Sequence, residues 1–224
     1  MAYDLQEQEQ LDLIKSWWKQ NGTMVTTVVA AGVLAYAAWV GWNGYQNNKA
    51  VEASKLYDEL QVQVQTKDAA KIQASASALR ERFPSTSYAS LAALVLAKNA
   101  FEAGDLKTAK SQLNFILDGG SKSEIKAVAK LRLATIALDE KANDEGLKLL
   151  SGEFPAEFAG DVADRKADFY VAQNKLTEAR AEYANALKLM EETNPGRQLV
   201  QIKLDALGGA VAVAVKEVPH AEKK

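Results

Sequence analysis

Between Lys19 and Lys49 the chain carries no Asp, Glu, Lys or Arg, and its four tryptophans bracket the centre of that stretch. Trp17 and Trp18 stand on one side, Trp39 and Trp42 on the other. Residues 23–42 are apolar or small, apart from three threonines and Tyr36. At about 1.5 Å per residue, a helix of this length spans roughly 30 Å, the thickness of a bilayer's hydrocarbon core. Indole and phenol rings favour the headgroup level, where an apolar ring and a polar N–H or O–H are both satisfied. The pattern predicts a membrane-spanning helix over residues 23–45, preceded by a tail over 1–22, with Trp17, Trp18, Trp39 and Trp42 at the membrane interface.

A cleaved signal peptide would need a basic start and a short apolar core. Ala35-Tyr36-Ala37 has the small-residue form of a cleavage site, but the preceding segment holds Asp4, Glu7, Glu9 and Asp12 against Lys15 and Lys19. A buried core helix explains neither the length nor the tryptophan pairs. Orientation is not set by charge, because Lys15 and Lys19 on one side balance Lys49 and Lys55 on the other. With no ionisable group inside it, the span lacks the parts of a proton relay or ion path. Ala31, Ala35 and Ala38 share one face, where small residues let another helix approach closely, although alanine is common in membrane helices generally.

Beyond the tail the acids and bases of this 224-residue chain balance, so neither a nucleic-acid binder nor a polybasic surface protein is implied. There is no Cys, and His220 is the only histidine, so thiolate, metal and triad chemistry lack parts and no cofactor is expected. Gly119-Gly120-Ser121 reads as a helix C-cap and turn rather than a phosphate loop. Carboxylate neighbours such as Asp161 and Asp164, or Glu191 and Glu192, suit a solvated helix face better than a catalytic pair. The expected class is therefore not an enzyme.

From Gln46 onward the pattern is helical. Val51, Leu56, Leu60 and Val64 recur near one face, Thr66-Lys67-Asp68 reads as a turn, and Ile72, Ala76 and Leu79 continue to Phe83-Pro84, where proline ends the helix. Ser85 and Ser87 offer N-caps for the next one. Leu96-Ala97, Ala100, a Gly104-Asp105-Leu106 turn, Ala109 and Leu113 then form a motif. It recurs as Leu133-Ala134, Ala137, a turn near Lys141–Asp144, Gly146 and Leu150. It recurs again as Ala167, Tyr170, Asn174-Lys175-Leu176, Ala179 and Tyr183. In each unit a small residue (Ala109, Gly146, Ala179) marks a close crossing of the second helix over the first.

This resembles the tetratricopeptide repeat, a helical hairpin with a period of about 34 residues. The first hairpin, near Lys49–Phe83, is the weakest match, and no unit has the family's Trp. Hairpins with one uncovered apolar face must stack. The expected fold is all-α: a single N-terminal transmembrane helix followed by a tetratricopeptide-like helical-repeat solenoid over residues 46–206. The repeat pattern implies that the first helix of each unit lines a concave, partner-binding groove. Alignment of the units places Leu91, Leu94, Lys98 and Phe101 there, then Val128, Leu131, Thr135 and Leu138, then Asp161, Asp164, Asp168 and Val171. Two units would be apolar, and the third acidic enough to select a basic partner. A slip of one position would instead turn these apolar residues into core.

The order of tail, Trp-Trp, spanning helix and repeats resembles the YfgM-like ancillary subunits of the bacterial SecYEG translocon. The resemblance is carried by Trp17-Trp18-Lys19-Gln20-Asn21-Gly22, Ala89-Ser90-Leu91-Ala92, Lys130-Leu131-Arg132-Leu133-Ala134 and Ala163-Asp164-Arg165-Lys166-Ala167, and covers about residues 5–205. It implies an inner-membrane protein with a cytoplasmic N-terminus and periplasmic repeats. It also implies association with SecYEG and a PpiD-like periplasmic chaperone, and a part in handling newly exported proteins. The implied cytoplasmic tail could restrain the response regulator RcsB where that regulator exists. The segment 207–224 departs from the family, and its Gly208-Gly209 pair, Pro219 and alternating Ala-Val suggest a flexible tail. Rival readings are a self-assembling envelope scaffold, a stress-signalling regulator acting through its tail, and a carboxylate hydrolase needing a closed pocket.

Overall fold

A computed structural model describes residues 2–208, and among them every regular element is a helix. The chain divides into two compact units, with the division after Glu52. Helix α1 runs without a break from Ala2 to Thr66. No proline precedes Pro84, so nothing between tail, span and first repeat helix removes a backbone donor.

In the first unit, α1 is the one described helix long and apolar enough to cross a membrane, and its apolar stretch is unburied. Met24, Val28, Val33 and Leu34 are all exposed, as are the four tryptophans and Ala31, Ala35 and Ala38. Water disfavours such a surface and hydrocarbon does not. Two threonine hydroxyls are satisfied within the helix. Thr26 Oγ1 donates to the Gly22 carbonyl at 2.8 Å, and Thr27 Oγ1 donates to Thr23 at 2.7 Å. This back-bonding spares lipid those two polar groups. Trp18 and Trp39 are separated by about 32 Å along the axis at 1.5 Å per residue. On the far side, Tyr45 lies beside Trp42 and under the Lys49 ammonium, 4.5 Å from the ring centroid.

The second unit is four helical hairpins and a closing helix. The hairpins are the end of α1 with α2 (Ala69–Arg82), α3 (Ser87–Glu102) with α4 (Leu106–Asp118), α5 (Ser123–Asp139) with α6 (Asn143–Leu150), and α7 (Ala159–Ala172) with α8 (Leu176–Leu189). Helix α9 (Arg197–Ala206) closes the stack. Each hairpin turns in the same way. One residue takes a left-handed conformation: Lys67, Gly104, Lys141 and Asn174, with φ of 55, 79, 61 and 59°. The following amide then reaches back to a carbonyl of the previous helix, as in Asp105 N to Ala100 O, Ala142 N to Ala137 O and Lys175 N to Tyr170 O, each at 2.8 Å. These bonds satisfy carbonyls that a helix end leaves orphaned. All four turns fall where the sequence pattern places them, including the weakly matched first hairpin.

One expected cap is corrected. Neither Ser85 nor Ser87 caps α3; Thr86 does, its Oγ1 accepting from Ala89 N at 3.3 Å. Pro84 is the reason. Thr86 N donates to the Phe83 carbonyl, closing a turn with proline in its second place, so Ser85 is used up in the turn and Ser87 is already helical. Gly119 does cap α4, as expected, but in an extended rather than left-handed conformation.

Alanine dominates the core. Ala93, Ala97 and Ala109 share a buried cluster with Leu113 and Leu133, and Ala163, Ala167 and Ala179 share another with Tyr183. Small residues at these crossings let α3 approach α4 and α7 approach α8. Gly146 is small for a different reason. The neighbour that excludes a side chain there is the fully buried ring of Phe169, on the first helix of the next hairpin. A Cβ on Gly146 would lie 1.9 Å from Phe169 Cζ. The glycine therefore serves the joint between hairpins. One hairpin earlier, the smaller Leu133 leaves room for Ala109.

Gly146→Ala should destabilise the protein by about 1–3 kcal/mol through overpacking, although alanine gains up to about 1 kcal/mol in helix propensity. Chemical unfolding of the full chain in mild detergent reads this, and adding Phe169→Leu should recover much of the loss.

A second expectation concerns pH. The Asp68 carboxyl is held below its usual value, first by the Lys71 amide, and that of Asp105 by its bonds to Thr108. A depressed carboxyl contributes stability above its unfolded value, about 3.9, and loses it as pH falls through the folded one. Amide exchange at Lys71 and Thr108 should therefore quicken relative to mid-helix amides below about pH 4. Asp105→Asn, which caps without titrating, should remove the change at Thr108 alone.

Candidate partner-binding groove

The residues expected to face the groove lie on α3, α5 and α7, and none is in the core. Leu91, Leu94, Val128, Leu131, Thr135, Leu138, Asp161, Asp164 and Asp168 are half-buried, while Lys98, Phe101 and Val171 are exposed. Their immediate neighbours Ala92, Ala97, Ala129, Ala134, Val162 and Ala167 are the buried ones. The helical register therefore separates a core face from a second face on each of these helices, largely apolar on α3 and α5 and acidic on α7. Leu94 packs on the cluster of the second hairpin, and Leu131 and Leu138 pack on that of the third.

Two recesses gather some of these positions. Lys98, Phe101 and Thr135 line one of about 310 Å³ between α3 and α5, floored by Ala97, Leu113 and Ile136. Leu138, Asp168 and Val171 line another of about 620 Å³, with Lys141, Asn143 and Tyr183. Leu91, Leu94, Val128, Leu131, Asp161 and Asp164 line neither.

The first recess also contains Arg132, which sequence reasoning passed over as part of a family motif. Its Nη1 donates to the Leu94 carbonyl at 2.9 Å, tying α5 to α3. The available signal was an arginine set between Leu131 and Leu133, with only apolar residues and Thr135 following it to Leu138.

The acidic third unit is not open to a basic partner in the way its sequence suggests. Lys203 of α9 reaches Asp164 Oδ1 at 2.8 Å and Asp168 Oδ1 at 2.8 Å. Arg165 Nη1 donates to Asp168 Oδ2 at 2.8 Å, and the Tyr183 hydroxyl donates to Asp168 Oδ1 at 2.6 Å. The chain thus supplies its own cation, and α9 buries Val200 and Leu204 against the last hairpin. Burial pushes the carboxyl of Asp164 up, a shift that the Lys203 hydrogen bond opposes. Asp161 is also pushed up, by burial first and then by Asp164. The Tyr183 phenol is pushed well above its ordinary value, by burial and then by its bond to Asp168. Helix α9 was not singled out in the sequence because its apolar pair, Val200 and Leu204, is too short a pattern to distinguish from exposed helix. Among the described residues no group of three or more His, Cys, Asp or Glu could hold a metal. His220 and most of the 207–224 segment lie outside them, although Leu207 still packs on the last cluster.

An unburied apolar helix, stacked helical hairpins and a second apolar face along α3 and α5 define a helical-repeat protein with a candidate membrane anchor. The tetratricopeptide repeat-like domain family matches residues 15–209. The ancillary SecYEG translocon subunit of Neisseria gonorrhoeae is 33% identical over 211 residues, covering 92% of this chain and 100% of that protein. The subunit of the same name from Haemophilus influenzae is 30% identical, covering 80% and 91%, and that from Escherichia coli K12 is 28% identical, covering 90% and 96%. No solved structure matches the chain. The chain belongs to the YfgM-like family of ancillary SecYEG translocon subunits, with a tetratricopeptide repeat-like domain. It is a non-enzymatic subunit by family.

The polar cluster under α9 yields an ordering of variants. Asp168→Ala strands Arg165 and the Tyr183 hydroxyl, leaves Lys203 only Asp164, and should cost about 3 kcal/mol. Lys203→Met keeps the packing stem and leaves Asp168 two donors; it takes the ion partner from Asp164 alone, whose carboxyl burial already pushes up, and should cost less. Urea unfolding of the full chain in detergent measures both.

Proposed function

We propose that this chain is a membrane-tethered adaptor that assembles with the SecYEG translocon and offers its repeats to a second protein. The carrying observation is the second, half-buried apolar face along α3 and α5, which the described residues leave only partly covered. The relatives are named as ancillary subunits of SecYEG, and an exposed apolar helix suits such a setting. On this reading residues 1–22 lie in the cytoplasm, 23–45 cross the inner membrane and 46–206 work in the periplasm. Ala31, Ala35 and Ala38, exposed on α1, would meet a translocon helix at close range.

The mechanism is local concentration. The span holds the repeats beside the exit of an export channel, so a weak groove contact with a PpiD-like chaperone or an emerging chain becomes intramolecular in effect. The tail before the span is on the side where RcsB would be met. Nothing in this scheme asks the repeats to do chemistry.

Site-specific photocrosslinking in intact cells tests it. Probes at Ala35 and Val33 should capture a translocon subunit, and probes at Val128 and Leu131 a periplasmic chaperone or exported protein. Crosslinks from none of these positions, with the protein in the membrane fraction, would count against the adaptor reading.

A further inference from the structure

Arg132 is a half-buried cation without an acid. Among the described residues no carboxylate lies within ion-pair distance of it. By contrast, Arg165 and Lys203 both have Asp168. A guanidinium carries five N–H donors, and the structure gives Arg132 one acceptor, the Leu94 carbonyl. None of its other nitrogens is sealed from solvent. They therefore keep contact with solvent, and Arg132 is one of the residues lining the recess. Burial draws its guanidinium below the ordinary value, with no neighbouring charge to offset it.

The rest of the recess has matching chemistry. Its floor is apolar, with Ala97, Leu113 and Ile136, and Phe101 is partly open beside it. Lys98 adds a second cation at the rim, where Glu102 also lines the recess, so the two cations outnumber one acid. The Lys98–Glu102 contact is 3.7 Å long between two well-exposed side chains, and such pairs hold each other weakly. A desolvated guanidinium beside an apolar floor is preorganised for a carboxylate attached to an apolar group, because the fold has already borne part of the cation's desolvation.

We propose that the α3–α5 recess binds an acidic peptide segment, with an aliphatic or aromatic side chain on the apolar floor and a neighbouring carboxylate on Arg132. This rests on the adaptor reading and names the partner chemistry of its groove. It also reverses the preference expected from the third unit, where Lys203 already occupies Asp164 and Asp168.

Fluorescence anisotropy on the full-length protein in nanodiscs tests it with two labelled, C-terminally amidated peptides. One is Gly-Ser-Gly-Leu-Phe-Glu-Asp and the other has Gln-Asn in place of Glu-Asp. The acidic peptide should bind about ten-fold more tightly, and added salt should narrow the gap. Arg132→Met should abolish most of the preference, and Arg132→Lys should restore part of it. Lys98→Gln, at an exposed position, keeps the test valid if Arg132→Met fails to fold. It should weaken the acidic peptide about two- to three-fold and leave the neutral one unchanged. Equal affinity for the two peptides overturns the proposal, as does a preference that survives both Arg132→Met and Lys98→Gln. Groove crosslinks that persist in cells without any acidic preference would sink this inference and leave the adaptor reading standing. An acidic preference without groove crosslinks would do the reverse.

Discussion

The close approach of helices across alanine and glycine is the interaction on which the repeat domain depends. Ala93 and Ala97 meet Ala109, and Ala163 and Ala167 meet Ala179, each with essentially no exposed surface. Backbones brought this near give extensive dispersion contact with little side-chain entropy to lose. The same geometry frees the larger side chains for the joints between hairpins, where Leu133 and Phe169 fill the gaps. Gly146 shows how narrow the tolerance is, since one methyl group there meets a ring that has nowhere to go.

Once the hairpins are packed this way, α3 and α5 expose a second apolar face, and the domain treats its parts differently. Near the third unit Asp164 and Asp168 are neutralised internally, by Lys203 and Arg165, and α9 covers the last cluster. Between α3 and α5, among the described residues, Phe101 is partly open and no carboxylate pairs with Arg132. A closing helix with a polar contact completes a stack whose last apolar face would otherwise meet water. The uncovered recess sits where the stack has no structural need for one.

The anchor obeys a separate constraint. In hydrocarbon every polar group needs an internal partner, and Thr26 and Thr27 find theirs one turn back. Its tryptophans flank the apolar stretch, Trp17 and Trp18 on one side and Trp39 and Trp42 towards the other end, the positions that ring–headgroup chemistry favours in a spanning helix.

Much of this was legible from residue order alone. The uncharged stretch, the Phe83-Pro84 stop, the four hairpin turns and the small residues at helix crossings are local signals, set by propensity, periodicity and the cost of burying charge. The resemblance to ancillary translocon subunits rested on the same order and spacing. What sequence could not show were relations between residues far apart in the chain: Lys203 answering Asp164 and Asp168, Phe169 excluding a side chain at Gly146, and Arg132 reaching Leu94. Periodicity states which face of a helix is apolar, but not which distant cation will neutralise an acidic one. Those pairings exist only once the hairpins stack, and they decide which charged groups on the first helices the protein pairs for itself and which stay without a counter-charge among the described residues.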